Sequence, residues 1–171
     1  MMSAVALFGR VPASYHGTVV DAESKAPLEG AVVVVVWRRK PVFAMDGPQY
    51  FHNAREVLTD AGGRFSIDAR PGIDWNPFTY VLTPPRIVIV KPGYGAFPFE
   101  QVSPRYGGRD DPEKELEYGA RVELPRLATR EDGPTVMDPA WLLIYPCRGD
   151  DGAGCVPPER IPNFMRVFRT R

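Results

Sequence analysis

Ala31-Val32-Val33-Val34-Val35-Val36-Trp37 is the stretch on which the fold turns. Its five consecutive valines show no polar alternation, so it does not read as a strand with one wet face. β-Branched side chains lose freedom in a helix and pack well on a pleated surface. The stretch is predicted to be a central strand covered on both faces. At an open edge the same run would invite aggregation.

Shorter strand signals surround it. His16-Gly17-Thr18-Val19-Val20-Asp21 is a β-type run, and residues 22–30 form a turn with Pro27 and Gly30 at its far end. Residues 41–53 are predicted to be a long loop. Arg55–Asp60 and Arg64–Ala69 flank Ala61-Gly62-Gly63. In the second arm Phe65, Ile67 and Ala69 alternate with Arg64, Ser66 and Asp68. Asp60 followed by two glycines predicts a hairpin. Residues 70–85 hold Pro71, Pro77, Pro84 and Pro85 and are predicted to be a loop. Its Trp75, Phe78 and Tyr80 either fold back over the core or form a contact platform for a sugar. Arg86–Val90 and Ala120–Leu124 complete the strands, with a polar loop over 103–115 between them.

After Pro125 the pattern changes. Trp141–Tyr145 is too short to assign. Ile161, Phe164, Met165 and Phe168 then follow helical spacing, with Arg160, Arg166 and Arg169 largely opposite. This predicts a helix over about 158–168 with Pro162 in its first turn. The organisation expected is an N-terminal extension (1–14), a β-sandwich domain (15–125) and a C-terminal extension (126–171). The fold class is all-β: an antiparallel seven-stranded sandwich whose short closing helix packs on one sheet or plugs an open end.

Composition agrees. Gly 16 and Pro 19 in 171 residues are hard to reconcile with a helical bundle. Lys+Arg and Asp+Glu balance at 21 each, so no net field draws the chain to nucleic acid. No apolar run approaches the ~20 residues of a membrane helix. Cys147 and Cys155 flank a Gly- and Asp-rich segment that can bend enough to join them as a local disulfide. Two free thiols are the other reading; two thiolates without a nearby His make only half a zinc site. The start, Met1–Ser14, is a poor signal peptide: its apolar part is short and no Lys or Arg precedes it. It reads equally as the stump of one or as an extension that packs on a neighbour.

Four segments in order carry a family resemblance: Gly17-Thr18-Val19-Val20-Asp21, Pro27-Leu28-Glu29-Gly30-Ala31-Val32-Val33, Thr59-Asp60-Ala61-Gly62-Gly63-Arg64-Phe65 and Val88-Ile89-Val90-Lys91-Pro92-Gly93-Tyr94. Together they resemble the carboxypeptidase regulatory-like domain, a transthyretin-like β-sandwich. The resemblance covers roughly the first two-thirds of the chain. It implies a seven-stranded sandwich, often in exported or surface proteins, that stabilises or binds without chemistry of its own.

Two enzyme families with related sandwiches fit poorly. Intradiol ring-cleaving dioxygenases hold iron with two tyrosines and two histidines. This chain has only His16 and His52, and the strand where the family places histidines is Arg86-Ile87-Val88-Ile89. Tyr50 and His52 are the two candidate ligands that remain. The transthyretin-related hydrolases end in Tyr-Arg-Gly-Ser, whereas this chain ends Val167-Phe168-Arg169-Thr170-Arg171. No Gly-x-Ser-x-Gly and no phosphate loop occurs. The acidic groups Asp110, Asp111, Glu113, Glu115 and Asp150, Asp151 read as solvated loops before they read as calcium ligands.

The function expected is a non-catalytic binding or structural module outside the cytoplasm, in the cell envelope or extracellular space. It would need no cofactor. It would recognise a protein or glycan through strand edges and loops, or assemble as a homo-oligomer or subunit of a surface structure. Residues 1–14 are then a candidate donor strand. The rival is a small metal-dependent oxygenase or hydrolase using Tyr50 and His52.

Overall fold

The computed structural model describes residues 14–43, 47–72, 78–98, 119–127, 140–141, 143–147 and 152–169. Seven strands run through them: β1 (Ser14–Asp21), β2 (Val32–Pro41), β3 (Tyr50–Leu58), β4 (Arg64–Asp68), β5 (Tyr80–Leu82), β6 (Arg86–Val90) and β7 (Ala120–Leu124). A 3-10 turn (Pro158–Arg160) leads into the helix α1 (Pro162–Arg169). The strands form two sheets. One is β4-β1-β7; in the other, β2 pairs β3 on one edge and both β6 and β5 on the opposite edge.

The valine stretch lies where its composition predicts. Val33, Val35 and Trp37 face the three-stranded sheet and pack with Val19, Phe65, Ile67, Ile89, Val122 and Leu124. Val32, Val34 and Val36 face the other way, into a second cluster with Val88, Val90, Ile144, Val156, Ile161 and Phe164. The residues covering this outer face come from the C-terminal part of the chain. The closing helix therefore packs on a sheet face. The hand-over between its 3-10 turn and α1 falls at Ile161, which is fully buried.

Glu56 on β3 holds that helix in place. Its Oε1 accepts the Asn163 amide at 2.7 Å and the Asn163 side-chain amide at 2.8 Å, and its Oε2 accepts the Phe164 amide at 3.0 Å. Amides in the first turn have no partner within a helix, so a carboxylate from another element can satisfy them.

Four expectations are corrected. β1 and β7 are parallel, Gly17 opposite Ala120 through Asp21 opposite Leu124, so the sheets are not antiparallel throughout. A parallel pair needs a long crossover, and here β2 to β6 intervene in sequence between the two strands. The hairpin is also absent as a ladder. The Asp60 turn exists, with its Oδ1 accepting the amides of Gly62 and Arg64. Its arms separate, however: β3 stays with β2 while β4 pairs β1. Thr59 donates to the Ala31 carbonyl and Val19 to the Gly63 carbonyl, so each end of the turn is tied to a different sheet. The loop expected over 41–53 is partly strand, because β3 begins at Tyr50. Finally, β5 forms inside the proline-rich stretch expected to be loop. Three residues are too few to show a period, and β5 exists because β2 runs on to Pro41.

Gly17 is a point of close approach. A Cβ there would meet the Ala120 carbonyl oxygen at 2.4 Å and the Phe65 ring at 3.1 Å. Gly17→Ala is expected to cost ~2–3 kcal/mol, as an overpacked site does, read as a lower denaturant midpoint. Glu56→Ala leaves the helix amides unsatisfied and is expected to cost ~1–2 kcal/mol in the same assay.

Candidate functional site

Neither core cluster includes a residue of β2 beyond Trp37. From there β2 runs on between β3 and β5, with Arg38 opposite Phe51 and Arg39 opposite both Tyr50 and Leu82, and then beside β5 as a ribbon, Lys40 opposite Val81 and Pro41 opposite Tyr80. One more backbone bond, Val42 amide to Thr79 carbonyl at 3.0 Å, extends it. β-Branched packing drives the first half of β2. The second half, Trp-Arg-Arg-Lys-Pro, has no such drive and needs other anchors.

Arg38 is the main one. It is 7% exposed and donates from Nη2 to the Ile144 carbonyl at 2.8 Å and from Nη1 to the Leu143 carbonyl at 3.4 Å. Residues 143 and 144 are helical and end there, so the guanidinium meets the negative end of a short helix. Burial, and then the charge of Arg86, push the Arg38 pKa down to about 10, which leaves it charged at neutral pH. Arg39 lies over the Tyr80 ring, 4.5 Å from its centroid, and Tyr80 meets Tyr50 edge-on at 6.1 Å. Opposite them the β3 register slips: Asn53 faces Trp37 and Phe51 faces Arg38, so His52 is the extra residue of a bulge.

At the end of this ribbon the surface turns apolar. Phe43 is 94% exposed and Phe78 85%, with Val42 and Val81 also exposed. Aromatic side chains left this open are the informative exception on a protein surface. Of the three aromatics singled out from the sequence, Phe78 sits here. Tyr80 is on the same ribbon, but Arg39 covers one face of its ring. Trp75 lies outside the described residues, as do residues 1–13, Asp150, Asp151 and the acidic cluster of 110–115. Val42, Phe43 and Val81 were not singled out. The available signal was Val-Phe directly after a basic strand end, and it was absorbed into the expected loop.

Cys147 and Cys155 are joined, with S–S 1.99 Å and Cα–Cα 4.9 Å. The loop they close is tied to β3 through the Phe51 amide, which donates to the Ala153 carbonyl at 2.9 Å. On the chain-entropy account a loop this small contributes about 2–3 kcal/mol. Among the described residues no three His, Cys, Asp or Glu side chains converge as a metal site, and no helix is long and apolar enough to cross a membrane.

The far end of the sandwich carries paired charge. Asp21, 1% exposed, accepts from Arg126 Nε and Tyr94 Oη on Oδ2, and from the amides of Glu23 and Ser24 on Oδ1. Arg126 first, then those amides, hold its pKa well below the usual carboxylate range. At the opposite end, where β4 pairs the start of β1, Asp68 is held low in the same way, first by Arg70 and then by Arg55.

No family model, curated protein or solved structure matches the chain. Its class is therefore read from the fold: an all-β, β-sandwich-like protein with one disulfide.

Asp21 makes stability pH-dependent. Its folded pKa lies below the ~3.9 of an unfolded aspartate. Its contribution is complete above that value and is lost as pH falls toward the folded pKa. Asp21→Asn is therefore expected to destabilise strongly at pH 7 and less at pH 3, the difference shrinking further as pH falls toward the folded pKa, measured by denaturant midpoints. An equal gap at both values would contradict this account.

Proposed function

We propose that this chain is a non-catalytic binding module of transthyretin-like build, akin to the carboxypeptidase regulatory-like domain. It acts outside the cytoplasm, in the envelope or extracellular space, by adding a strand of a protein partner to its own sheet, as a subunit of a surface assembly.

The observation that carries this reading is a contrast between edges. β3, at one edge of the four-stranded sheet, is occupied by the chain itself: Ala153 takes the Phe51 amide and Glu56 takes the amides of α1. β4 pairs only β1 among the described residues. Its Arg64 amide and carbonyl turn away from β1 to Asp60. By the two-residue repeat, Ser66 and Asp68 present their backbone groups outward as well. Ser66 is exposed, and the strand is short and charged, which limits unspecific pairing. Such an edge can take an extended peptide, with main-chain bonds supplying affinity. The disulfide supports an oxidising compartment. A protein is favoured over a glycan because Arg39 occupies one face of the Tyr80 ring.

Ser66→Pro removes one outward donor and is tolerated at an edge. Proteins of the envelope fraction that cross-link to the wild-type chain are expected to be lost, about tenfold or more, from this variant, with its melting temperature little changed. Unchanged cross-linking would refute strand addition. Stoichiometric iron, lost on His52→Ala, would favour the oxygenase instead.

A further inference from the structure

The layer that covers the outer valines is closed by the disulfide. We infer that Cys147–Cys155 is a redox-sensitive latch: a dithiol that reduces it releases the C-terminal layer and bares the outer face of β2, while the inner half of the sandwich stays folded.

Position points this way first. Ile144 stands three residues before Cys147 and Val156 directly after Cys155, and both are fully buried against the outer valines. The backbone between them is laced. The Val156 amide donates to the Tyr145 carbonyl at 2.8 Å, and the Cys147 amide to the Val156 carbonyl at 2.9 Å. These bonds make an isolated parallel bridge, Pro146 beside Val156, with no ladder behind it. Parallel neighbours ordinarily need a connection of about a dozen residues or more. Here the cross-link closes one at a sequence separation of 8. Tyr145 adds a second observation. Its φ of 54° is left-handed, a backbone that a bulky residue keeps only where its surroundings enforce it.

Separability is the third argument. The inner cluster, where Val33, Val35 and Trp37 meet Val19, Phe65 and Leu124, takes no described residue beyond Leu124. It keeps its contacts when the cover lifts. The outer cluster draws Leu143, Ile144, Val156, Ile161 and Phe164 from the covering layer and loses them together. A contiguous segment whose contacts are made on one face opens as a unit. The same opening frees the edge of β3, because Ala153 in the latched loop holds the Phe51 amide.

The chemistry is thiol–disulfide exchange. Cys155 is 4% exposed and Cys147 is half-buried, so a thiolate reaches the bond from the Cys147 side. It attacks the Cys147 sulfur, the bond to Cys155 breaks, and the Cys155 thiolate leaves and takes up a proton. The second thiol of the dithiol then displaces the Cys147 sulfur, which takes up the other proton. The dithiol ends as a disulfide and the protein as two thiols.

The test is amide hydrogen exchange of the full chain, read by mass spectrometry, with and without dithiothreitol under native conditions. Alkylation counts the thiols in parallel. Exchange over residues 156–165 is expected to rise roughly fiftyfold on reduction, the loop-closure advantage of a cross-link this short. Exchange over 17–21 and 64–68 should change less than about twofold. A dye that brightens on exposed apolar surface should report the same opening. Cys147→Ser/Cys155→Ser should exchange fast without reductant and no faster with it. Unchanged exchange over 156–165 in chains that carry two thiols would overturn the inference. So would equal acceleration of β1 and β4, which would make the bond a brace of the whole sandwich, or a bond that dithiothreitol cannot reduce in the folded chain. Ser66→Pro should open on reduction as the wild type does, so failure of strand addition at β4 leaves the latch standing, and the reverse.

Discussion

Everything in this molecule is arranged around burying both faces of β2. A strand of five valines carries no polar side chain that could face water, so it can sit only in the middle layer of three. The first covering layer is the β4-β1-β7 sheet. The second is the C-terminal segment, which brings Ile144, Val156, Ile161 and Phe164 onto the outer face. Without that second layer the alternate valines would form an exposed apolar face, large enough to drive aggregation. The C-terminal residues are thus part of what makes the central strand tolerable.

That dependence explains how the second layer is fastened. The helix is eight residues long and too short to be stable by itself in water. Three different constraints hold it to the sheet: the Glu56 carboxylate on its first amides, the apolar contact of Phe164, and the disulfide that closes the chain just before it. Arg38 adds a fourth from the sheet side, by bonding the carbonyls of residues 143 and 144. A buried guanidinium is costly unless its donors are used, and here they secure the layer that covers β2. The same bonds stiffen the root of the ribbon, so covering the core and holding the ribbon are coupled through one side chain.

What the sequence made legible follows from how local each signal is. The two-sided burial of β2 was readable because one residue type repeats without interruption. The alternation in Arg64–Asp68, the helix spacing from Ile161 to Phe168 and the flexible run between the cysteines were readable for the same reason. Features decided by distant partners were not. The split of the Asp60 turn between two sheets depends on Val19 and Ala31, which lie elsewhere in the chain. The parallel pairing of β7 depends on Gly17 offering no side chain against the Ala120 carbonyl. Glu56 reads as an ordinary exposed residue of a strand until the helix amides arrive over a hundred residues later. Val42, Phe43 and Val81 were missed for a further reason: exposure is a property of what fails to cover a residue, and no local pattern encodes it.

The distribution of charge sharpens the view of the molecule as a two-ended object. At the end where β1 finishes, Asp21 is met by Arg126, Tyr94 and two backbone amides, and Lys25 meets Glu123 at 2.6 Å. These charges are spent on closing turns and joining β1 to the segment after β7. At the end where β2 runs out, Arg38 donates to the carbonyls of residues 143 and 144 and Arg39 lies over the Tyr80 ring, so these two cations fasten the strand end to its neighbours. A fold needs its turns closed, so paired charge at the first end has a structural reason. The exposed Phe43 and Phe78 side chains leave apolar area in water. That exposure contributes nothing to the burial of β2, which ends its core contacts at Trp37.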